Sequence, residues 1–403
     1  MENIKCFYNA CLNVTDACNL GCKYCFVEQN PHYMTLETAK QCVDFLANNI
    51  KLQNKEQGHL TYFGGEPMLL WDEIIVPLTI YIKQKYNNLI TLGITTNGTL
   101  LNSQRIKFMF DNQIIPHLSF DGPKEVQDIN RPCKNGLSSF DLVVKNIPEL
   151  LYYFPNTTMR ATISQQTVQH TYSAYAFAVE QGFKNFFITP NCREQWDEEN
   201  LKELNLQAQY IYTHMFGNFL NNVYPISFSS INKTFEYILN RDLQIAHNQY
   251  NNISVKRGVE RCGLGTVTAS FSYDGNIYGC QEQNSYGFNN IFHIGDIYNG
   301  IDTNRHKELL KLYCAEAKQT CVNKQICNNC PLRLVCQDLC CPSVNWDLYQ
   351  DFFTHNEVEC KWQQILFYNA LFIMHSLVAQ NNECFKQYLN IYCNYPSEKK
   401  EEV

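Results

Sequence analysis

The chain has 403 residues, of which 45% are hydrophobic and 18% charged, so it can bury a large core and is not a disordered chain. Its net charge of −7, from 32 basic and 39 acidic side chains, argues against a nucleic-acid-binding surface. It contains 20 cysteines, an unusual number for a globular protein but below the ~8–10% of a disulfide scaffold.

Whether these cysteines form disulfides or bind metal depends on the cellular compartment of the protein. The N-terminal sequence has no basic start followed by an apolar stretch, and no small-residue cleavage site. The longest apolar stretch, residues 365–379, contains Asn369 and His375 and is shorter than the ~20 residues of a membrane span. We therefore expect a cytoplasmic protein with no membrane partner, in which closely spaced cysteines bind metal or carry redox chemistry.

Short apolar runs alternate with helical periodicity from residue 10 to about residue 190. The clearest helical pattern has apolar residues three and four apart from Leu36 to Ile50, with Thr35 as its N-cap. Six strands are predicted, at Ala10–Val14, His59–Phe63, Leu92–Thr95, His117–Phe120, Thr158–Ile163 and Asn185–Thr189. This alternation favours an α/β fold with a parallel sheet, flat or closed into a barrel, and with chemistry at the carboxyl ends of its strands.

The pattern changes after Pro190. Residues Glu198 to His247 predict one or two helices, and residues Trp362 to Tyr388 predict a last helix. Between them, clustered cysteines accompany short strands, and Asp274-Gly275 is the turn signal of a hairpin between Thr266–Ser272 and Ile277–Tyr278.

The first cysteine motif is C-x3-C-x2-C, formed by Cys18, Cys22 and Cys25 directly after the first predicted strand. A cubane iron-sulfur cluster has four irons, so a loop with three thiolates leaves one iron open. A closed structural zinc site needs four ligands, which makes three thiolates a poor zinc site.

Polar and glycine-rich motifs follow the next three predicted strands. They are Gly64-Gly65-Glu66, Asn97 within Thr95–Gly98, and Ser119 with Asp121 before Pro123. Glycines allow close approach of a ligand, Glu66 can accept from an ammonium group, and the other side chains suit hydroxyl groups. Each motif alone is compatible with an ordinary turn. Together, on successive strands, they indicate a binding site.

At these residues the sequence resembles the radical S-adenosylmethionine (SAM) superfamily, over about residues 9–190. The resemblance implies a partial (β/α)6 barrel whose Cys18, Cys22 and Cys25 hold a 4Fe-4S cluster that binds SAM. It assigns the SAM amino group to Gly64, Gly65 and Glu66, and the adenine to Tyr24 and Ile188. It also assigns the SAM ribose or carboxylate to Ser119 and Arg131, with Arg160 near the carboxylate.

A second set of cysteines lies further along the chain. Cys262 is followed by twelve residues, Gly275, four residues and Cys280, and then come Cys327-x2-Cys330-x5-Cys336-x3-Cys340 and Cys360. This set resembles the SPASM domain, over about residues 255–360, which implies two auxiliary 4Fe-4S clusters. The first takes Cys262, Cys280 and Cys340, and the second takes Cys327, Cys330, Cys336 and Cys360. A zinc ribbon formed by Cys327, Cys330, Cys336 and Cys340 is the alternative.

The first auxiliary cluster thereby has only three protein ligands. An open iron could bind and deprotonate a substrate thiol, as proposed for maturases that form thioethers. Alternatively, Cys341, Cys192, Cys314 or Cys321 closes the cluster. Cys192 could also donate a hydrogen, or be a structural loop thiol. Cys11 and Cys42 are expected to be small apolar core residues.

The predicted domains are a barrel over 1–195, a helical connector over 196–254, the SPASM domain over 255–360, and a helix and tail over 361–403. The resemblance implies an enzyme that uses SAM and three 4Fe-4S clusters to modify a cysteine-containing precursor peptide by a thioether or another crosslink. It also implies an electron donor such as flavodoxin or ferredoxin. Because the barrel begins almost at residue 10, without the fused leader-binding domain of several such maturases, we expect the leader to be recognised elsewhere or by a separate leader-binding protein.

Three alternatives remain open. One is an anaerobic sulfatase-maturing enzyme, in which an acidic residue follows the second SPASM cysteine; here Gln281 follows Cys280, with Glu282 one place later. The second is another outcome of the same radical, such as a carbon-carbon crosslink, epimerisation or decarboxylation. The third is a non-catalytic iron-sulfur electron carrier.

Overall fold

A computed structural model describes residues 7–240, 262–284, 290–315, 341–352 and 354–393. The described residues fall into two compact units. The first takes its residues from Met1–Phe120, Gln127–Thr157 and Lys256–Gln319, and the second from Asp121–Val126, Thr158–Val255 and Thr320–Val403.

The described strands, in chain order, are β1 Asn9–Thr15, β2 Gly58–Gly64, β3 Ile90–Thr96, β4 Ile114–Ser119, β5 Thr158–Ile163, β6 Asn185–Pro190, β7 Ser227–Phe228, β8 Thr268–Phe271, β9 Asn276–Tyr278, β10 His293–Asp296 and β11 Gly300–Ile301. The described α-helices are α1 Leu36–Leu52, α2 Val76–Tyr86, α3 Ser103–Asp111, α4 Lys124–Asn130, α5 Ser139–Val144, α6 Ile147–Tyr153, α7 Thr171–Glu180, α8 Glu198–Leu220, α9 Ser229–Asn240, α10 Thr303–Ala315, α11 Pro342–Tyr349, α12 Glu357–Ala379 and α13 Glu383–Cys393.

The first unit contains parallel strands joined by helices. β1 pairs with β2, β2 with β3, and β3 with β4, all in parallel. Helix α1 begins after Thr35, whose side chain accepts a hydrogen bond from the backbone N–H of Thr38, as predicted. The α/β fold is confirmed, and all six predicted strands are present. The fourth strand begins three residues before its predicted start, because Pro116 interrupted its apolar pattern in the sequence.

The two faces of these strands differ in burial. On β2, Leu60 and Tyr62 are fully buried, and the Tyr62 hydroxyl bonds to Thr79 of α2 at 2.8 Å. The alternate residues of β2, His59, Thr61 and Phe63, are only partly buried. Since neighbouring strands align their side chains, the sheet has one apolar face under the helices and one polar, more open face.

A hairpin extends this sheet beyond β1. β8 pairs with β1 in parallel, and β9 returns antiparallel to β8 through the predicted turn at Asp274-Gly275. Gly275 has a φ of +89°, a backbone conformation that favours glycine. Phe271 of β8 packs against Phe7 and Phe45 on the apolar face, with ring centroids 5.7 and 6.1 Å away.

In the second unit, β5 and β6 are parallel neighbours, and β7 pairs with β6. Helix α12 packs against α8 and α9. The single predicted helix from Trp362 to Tyr388 is wrong, because α12 ends at Ala379 and α13 begins at Glu383. Asn381 between them has a φ of +55°, and the Asn382 side chain accepts from the backbone N–H of Phe385 at 2.8 Å, which starts the new helix.

The predicted helical stretch from Glu198 to His247 contains α8 and α9, and its last seven residues lie outside the described part. Within the described ranges, no helix is both long enough and apolar enough to cross a membrane.

Candidate functional site

Cys18, Cys22 and Cys25 lie in the loop that follows β1. Cys18 and Cys22 are partly buried and Cys25 is exposed. Burial raises the pKa of the Cys18 thiol to about 12, and negative charges on Glu66, Cys22 and Cys25 contribute to this rise. The backbone N–H of Leu20 donates to the Cys18 sulfur at 3.4 Å, and this hydrogen bond opposes the rise in the Cys18 pKa. The three thiols therefore lie in one short loop, in which the Cys18 sulfur accepts a backbone hydrogen bond.

Residues 130–134 hold this loop from one side. The backbone N–H groups of Gly21 and Lys23 donate to the carbonyls of Pro132 and Asn130 at 2.8 and 3.0 Å. Between these contacts, the Arg131 guanidinium lies 5.2 Å from the centroid of the Tyr24 ring. The structure thus brings together Tyr24 and Arg131, two of the residues predicted to contact SAM.

Gly64 and Gly65 bring the end of β2 against the residues that lead into the cysteine loop. A Cβ on Gly64 would lie 2.3 Å from the Thr15 carbonyl oxygen, and one on Gly65 would lie 2.2 Å from that of Ala17. The Gly65 N–H donates to Thr15 O at 2.7 Å, and the Glu66 N–H to Ala17 O at 2.9 Å. From the sequence, we expected these glycines to admit a ligand. In the structure, the atoms that they admit belong to the chain itself.

The Glu66 carboxylate is fully buried between the ends of β2 and β3. One oxygen accepts from the Met68 N–H at 3.0 Å and the Thr96 hydroxyl at 2.9 Å, and the other accepts from the Asn97 N–H at 2.7 Å. Burial raises the pKa of this carboxyl to about 7, although the three hydrogen bonds favour the charged form. A buried acidic group beside the cysteine loop is well placed to meet a positive charge.

Asn97 joins this carboxylate to the cysteine loop. Its backbone N–H bonds to Glu66, while its side-chain Nδ2 donates to Asn19 Oδ1 at 3.0 Å and lies 3.8 Å from the Cys18 sulfur. The predicted residues Cys18, Glu66 and Asn97 are therefore in one hydrogen-bonded group. Ser119 ends β4 and is partly buried.

The other predicted SAM residues lie in the second unit. The Asp121 carboxylate accepts from the Thr162 N–H on β5 at 3.0 Å. Arg160 is exposed on β5, with its guanidinium 5.2 Å from the centroid of the Phe187 ring on β6. The Ile188 side chain is buried, and its backbone carbonyl accepts from the Ser230 hydroxyl at 3.3 Å.

The sequence reasoning missed a carboxylate-imidazole pair beside the cysteine loop. Asp16, two residues before Cys18, is buried, and its Oδ2 lies 3.3 Å from His32 Nδ1. Its Oδ1 accepts from Asn13 Nδ2 at 2.8 Å. The His32 ring stacks on Tyr273 of the hairpin turn with centroids 4.4 Å apart. No sequence motif links these residues, since Tyr273 is remote along the chain.

The second cysteine set is described only in part. Cys262 is exposed, while Cys280, Cys341 and Cys360 are partly buried. Cys360 is on α12, and Gln364 Nε2 lies 3.6 Å from its sulfur. Cys327, Cys330, Cys336 and Cys340 lie outside the described residues. Among those that are described, no three His, Cys, Asp or Glu side chains are close enough to hold a single metal ion.

Comparison with known proteins gives a family and several relatives. The Radical SAM superfamily pattern matches residues 12–178. A cysteine-type anaerobic sulfatase-maturating enzyme of Clostridium perfringens is 26% identical over 318 residues, which cover 74% of this chain and 80% of that protein.

Two solved structures share the fold. Native anSMEcpe with bound AdoMet and the Cp18Cys peptide superposes with a TM-score of 0.72 at 22% identity, covering 93% of this chain and 99% of that one. SuiB of Streptococcus suis, bound to its precursor peptide SuiA, superposes with a TM-score of 0.56 at 14% identity, covering 88% and 76%.

Proposed function

Residues 12–178 are a radical SAM domain, and we propose that this radical SAM enzyme crosslinks a cysteine of a ribosomally made precursor peptide, most simply through a thioether. In this reaction the 5'-deoxyadenosyl radical takes a hydrogen atom from a substrate carbon and becomes 5'-deoxyadenosine. The cysteine thiol gives its proton to solvent, and the C–S bond forms with release of one electron. Cys18, Cys22 and Cys25 would hold a 4Fe-4S cluster, which would supply the electron that cleaves SAM into methionine and a 5'-deoxyadenosyl radical.

Residues of this chain fit both the 4Fe-4S cluster and SAM. The three thiols of the cysteine loop suit a cluster that keeps one iron open for SAM. Glu66, a buried carboxylate next to that loop, suits the SAM ammonium group, and the Arg131–Tyr24 pair offers a cation and an aromatic face to the carboxylate and adenine. The task of the protein is to hold these groups so that the radical meets one substrate C–H bond.

Relatives support a peptide substrate. The anSMEcpe structure holds the Cp18Cys peptide, and the SuiB structure holds the precursor peptide SuiA. Cysteine is the side chain that we assign to the substrate, since a thiol loses its proton more readily than a hydroxyl and then bonds to an oxidised carbon. An auxiliary cluster held by the SPASM-region cysteines would accept the remaining electron, and a flavodoxin or ferredoxin would reduce the cluster held by Cys18, Cys22 and Cys25.

The observation that favours thioether formation over formylglycine formation is the identity of the residue that follows Cys280. Gln281 occupies this place and is partly buried at the start of a short 3-10 turn, Gln281–Gln283. A carboxamide has no basic oxygen and cannot take the proton that an acidic residue would take there. Formylglycine formation is the second candidate, because the relative from Clostridium perfringens is a sulfatase-maturating enzyme and Glu282 lies one place later.

The test is anaerobic turnover with SAM, dithionite and a cysteine-containing peptide encoded by an open reading frame next to the gene. We expect 5'-deoxyadenosine, together with a peptide that has lost two hydrogens and one alkylatable thiol. Replacement of the cysteine sulfur by oxygen would instead identify formylglycine formation. Absence of 5'-deoxyadenosine from a fully reconstituted sample would leave only an electron carrier. Turnover that requires a second purified protein would support a separate leader-binding partner.

A further inference from the structure

The side-chain amide of Asn97 is held in one orientation beside the cysteine loop. Asn97 directly follows β3 and is 6% exposed, so its polar atoms need hydrogen-bond partners within the chain. The backbone N–H of Thr99 lies 3.0 Å from one amide atom of Asn97. Because a backbone N–H can only donate, that amide atom is the oxygen, Oδ1. The amide nitrogen, Nδ2, is therefore on the side that faces the cysteine loop.

Three side chains form a closed ring of hydrogen bonds that includes this amide. Asn97 Nδ2 donates to Asn19 Oδ1 at 3.0 Å, Asn19 Nδ2 donates to the Thr99 hydroxyl at 2.7 Å, and the Thr99 hydroxyl donates back to Asn97 Oδ1 at 2.6 Å. Each group in the ring both donates and accepts, so each bond strengthens the next and the three side chains are fixed together. Since Asn19 directly follows Cys18, the ring joins the cysteine loop to the residues that follow β3.

The second hydrogen of the Asn97 amide is directed at the Cys18 sulfur. Nδ2 carries two hydrogens, of which Asn19 accepts one, and its distance to Cys18 Sγ is 3.8 Å, within the reach of an N–H···S bond. With the two bonds from Thr99 to Oδ1, the amide uses all four of its hydrogen-bonding positions within the chain. The same sulfur accepts from the backbone N–H of Leu20 at 3.4 Å. Two N–H groups therefore point at one thiol of the loop.

An N–H group that points at a cluster cysteine acts on the reduction potential of the cluster. A thiolate bound to iron carries partial negative charge, which grows when the cluster gains an electron. The N–H dipole stabilises the reduced form more than the oxidised form, so the potential becomes less negative. Because Asn97 is buried, its N–H acts on Cys18 with little screening by water.

We propose that Asn97 is a positioning residue that tunes the SAM-binding 4Fe-4S cluster through an N–H···S bond to Cys18, and that its amide does not contact SAM. The ring holds the amide in place before the cluster is reduced. One electron from the donor protein would enter the cluster held by Cys18, Cys22 and Cys25, and no proton leaves the amide. This role rests on the proposed function only in requiring that cluster.

Asn97→Leu and its matched control Thr99→Val test this bond in the reconstituted enzyme. Both changes are uncharged and open the hydrogen-bonded ring, but only Asn97→Leu removes the N–H that points at Cys18. In Thr99→Val the backbone N–H of residue 99 still holds Asn97 Oδ1, so the amide keeps its orientation. The measurement is a redox titration of the SAM-free enzyme followed by EPR. The signal that SAM alters identifies the cluster of the cysteine loop.

We expect Asn97→Leu to have a more negative midpoint potential, because the reduced cluster loses a stabilising N–H. The reduction equilibrium constant should fall about three- to tenfold, equivalent to ~28–59 mV for one electron. Thr99→Val should keep the wild-type potential. Equal potentials for wild type and Asn97→Leu, or an equal shift in both variants, would overturn the proposal.

A second measurement uses the wild-type enzyme and does not depend on a variant that folds. Protein grown with asparagine that carries ¹⁵N only in its side chain is reconstituted, reduced with dithionite and measured by pulsed EPR. We expect a ¹⁵N coupling to the cluster whose signal SAM alters, because Asn97 Nδ2 lies 3.8 Å from the Cys18 sulfur. Absence of this coupling from a fully loaded sample would contradict the N–H···S bond. Failure of the proposed function has a different signature, since the peptide would stay unmodified while the coupling and the potential shift are both present.

Discussion

Glu66 is the residue whose ionisation most directly reports on the site. Its pKa is raised to about 7 by burial, against an ordinary value of 4.5. The folded state therefore holds a proton that the unfolded state releases between these two pH values. Glu66 contributes stability that is fully present below pH 4.5 and is lost as pH rises through about 7.

Glu66→Gln should remove this pH dependence. Relative to the variant, the wild-type free energy of unfolding should fall by up to about 3 kcal/mol between pH 4.5 and pH 8. Urea unfolding of both proteins at the two pH values measures the difference. Glu73→Gln, at an exposed position, is the matched control and should follow the wild type. A wild-type-minus-variant difference that does not change with pH would show that folding does not raise the pKa of Glu66.

A substitution at Gly65 distinguishes two roles for Gly64 and Gly65, which either pack closely against the start of the cysteine loop or allow SAM to approach. Because an added Cβ would lie 2.2 Å from Ala17 O, Gly65→Ala should displace the start of the cysteine loop even when no SAM is present. We expect the variant to lose most of the iron bound by Cys18, Cys22 and Cys25, as measured by EPR of the SAM-bound reduced cluster.

The control is Gly217→Ala on α8, where a Cβ would meet no atom within 4 Å. This change should stabilise the helix by about 0.5–1 kcal/mol and leave the cluster intact. If Gly65→Ala assembles a normal cluster but binds SAM more weakly, the glycine serves the ligand and not the loop.

For the helices and strands, local apolar periodicity was sufficient to predict segments that have one buried face. It placed α1 with its Thr35 cap and all six strands of the α/β core, since apolar residues recur there at the period of the structure. It failed at residues 380–382, because the apolar pattern continues across the break between α12 and α13. The break depends on Asn381 taking a left-handed conformation, which composition does not reveal.

Asn381 therefore offers a test of that break. Asn381→Ala places a Cβ-bearing residue without a compensating amide at a φ of +55°, and should cost about 1 kcal/mol of stability. Asn381→Gly should be neutral or slightly stabilising, as glycine adopts this conformation without strain. Chemical denaturation of the two variants gives the comparison. Equal stability would mean that the side chain, not the backbone, sets the end of α12.

Across the whole chain, the sequence revealed the side chains that come together as motifs and missed those that only the fold brings together. Cys18, Cys22 and Cys25 are adjacent in one loop, so spacing alone identified them. His32 and Tyr273 stack on one another only because β8 adds to β1 in parallel. No short-range pattern encodes that pairing, since it joins segments from opposite halves of the chain. The ligands Cys327, Cys330, Cys336 and Cys340 and the domain boundaries stay predictions.

The proposed function requires that a hydrogen atom pass from the peptide to the SAM-derived 5'-deoxyadenosyl radical. The direct measurement uses the reconstituted enzyme and the neighbouring peptide labelled with deuterium at its carbon-bound positions. Mass spectrometry of the 5'-deoxyadenosine should then show one deuterium for each peptide that loses a carbon-bound hydrogen and a free thiol. 5'-Deoxyadenosine without deuterium, formed while the peptide keeps all its thiols, would contradict a radical enzyme that acts on a peptide cysteine.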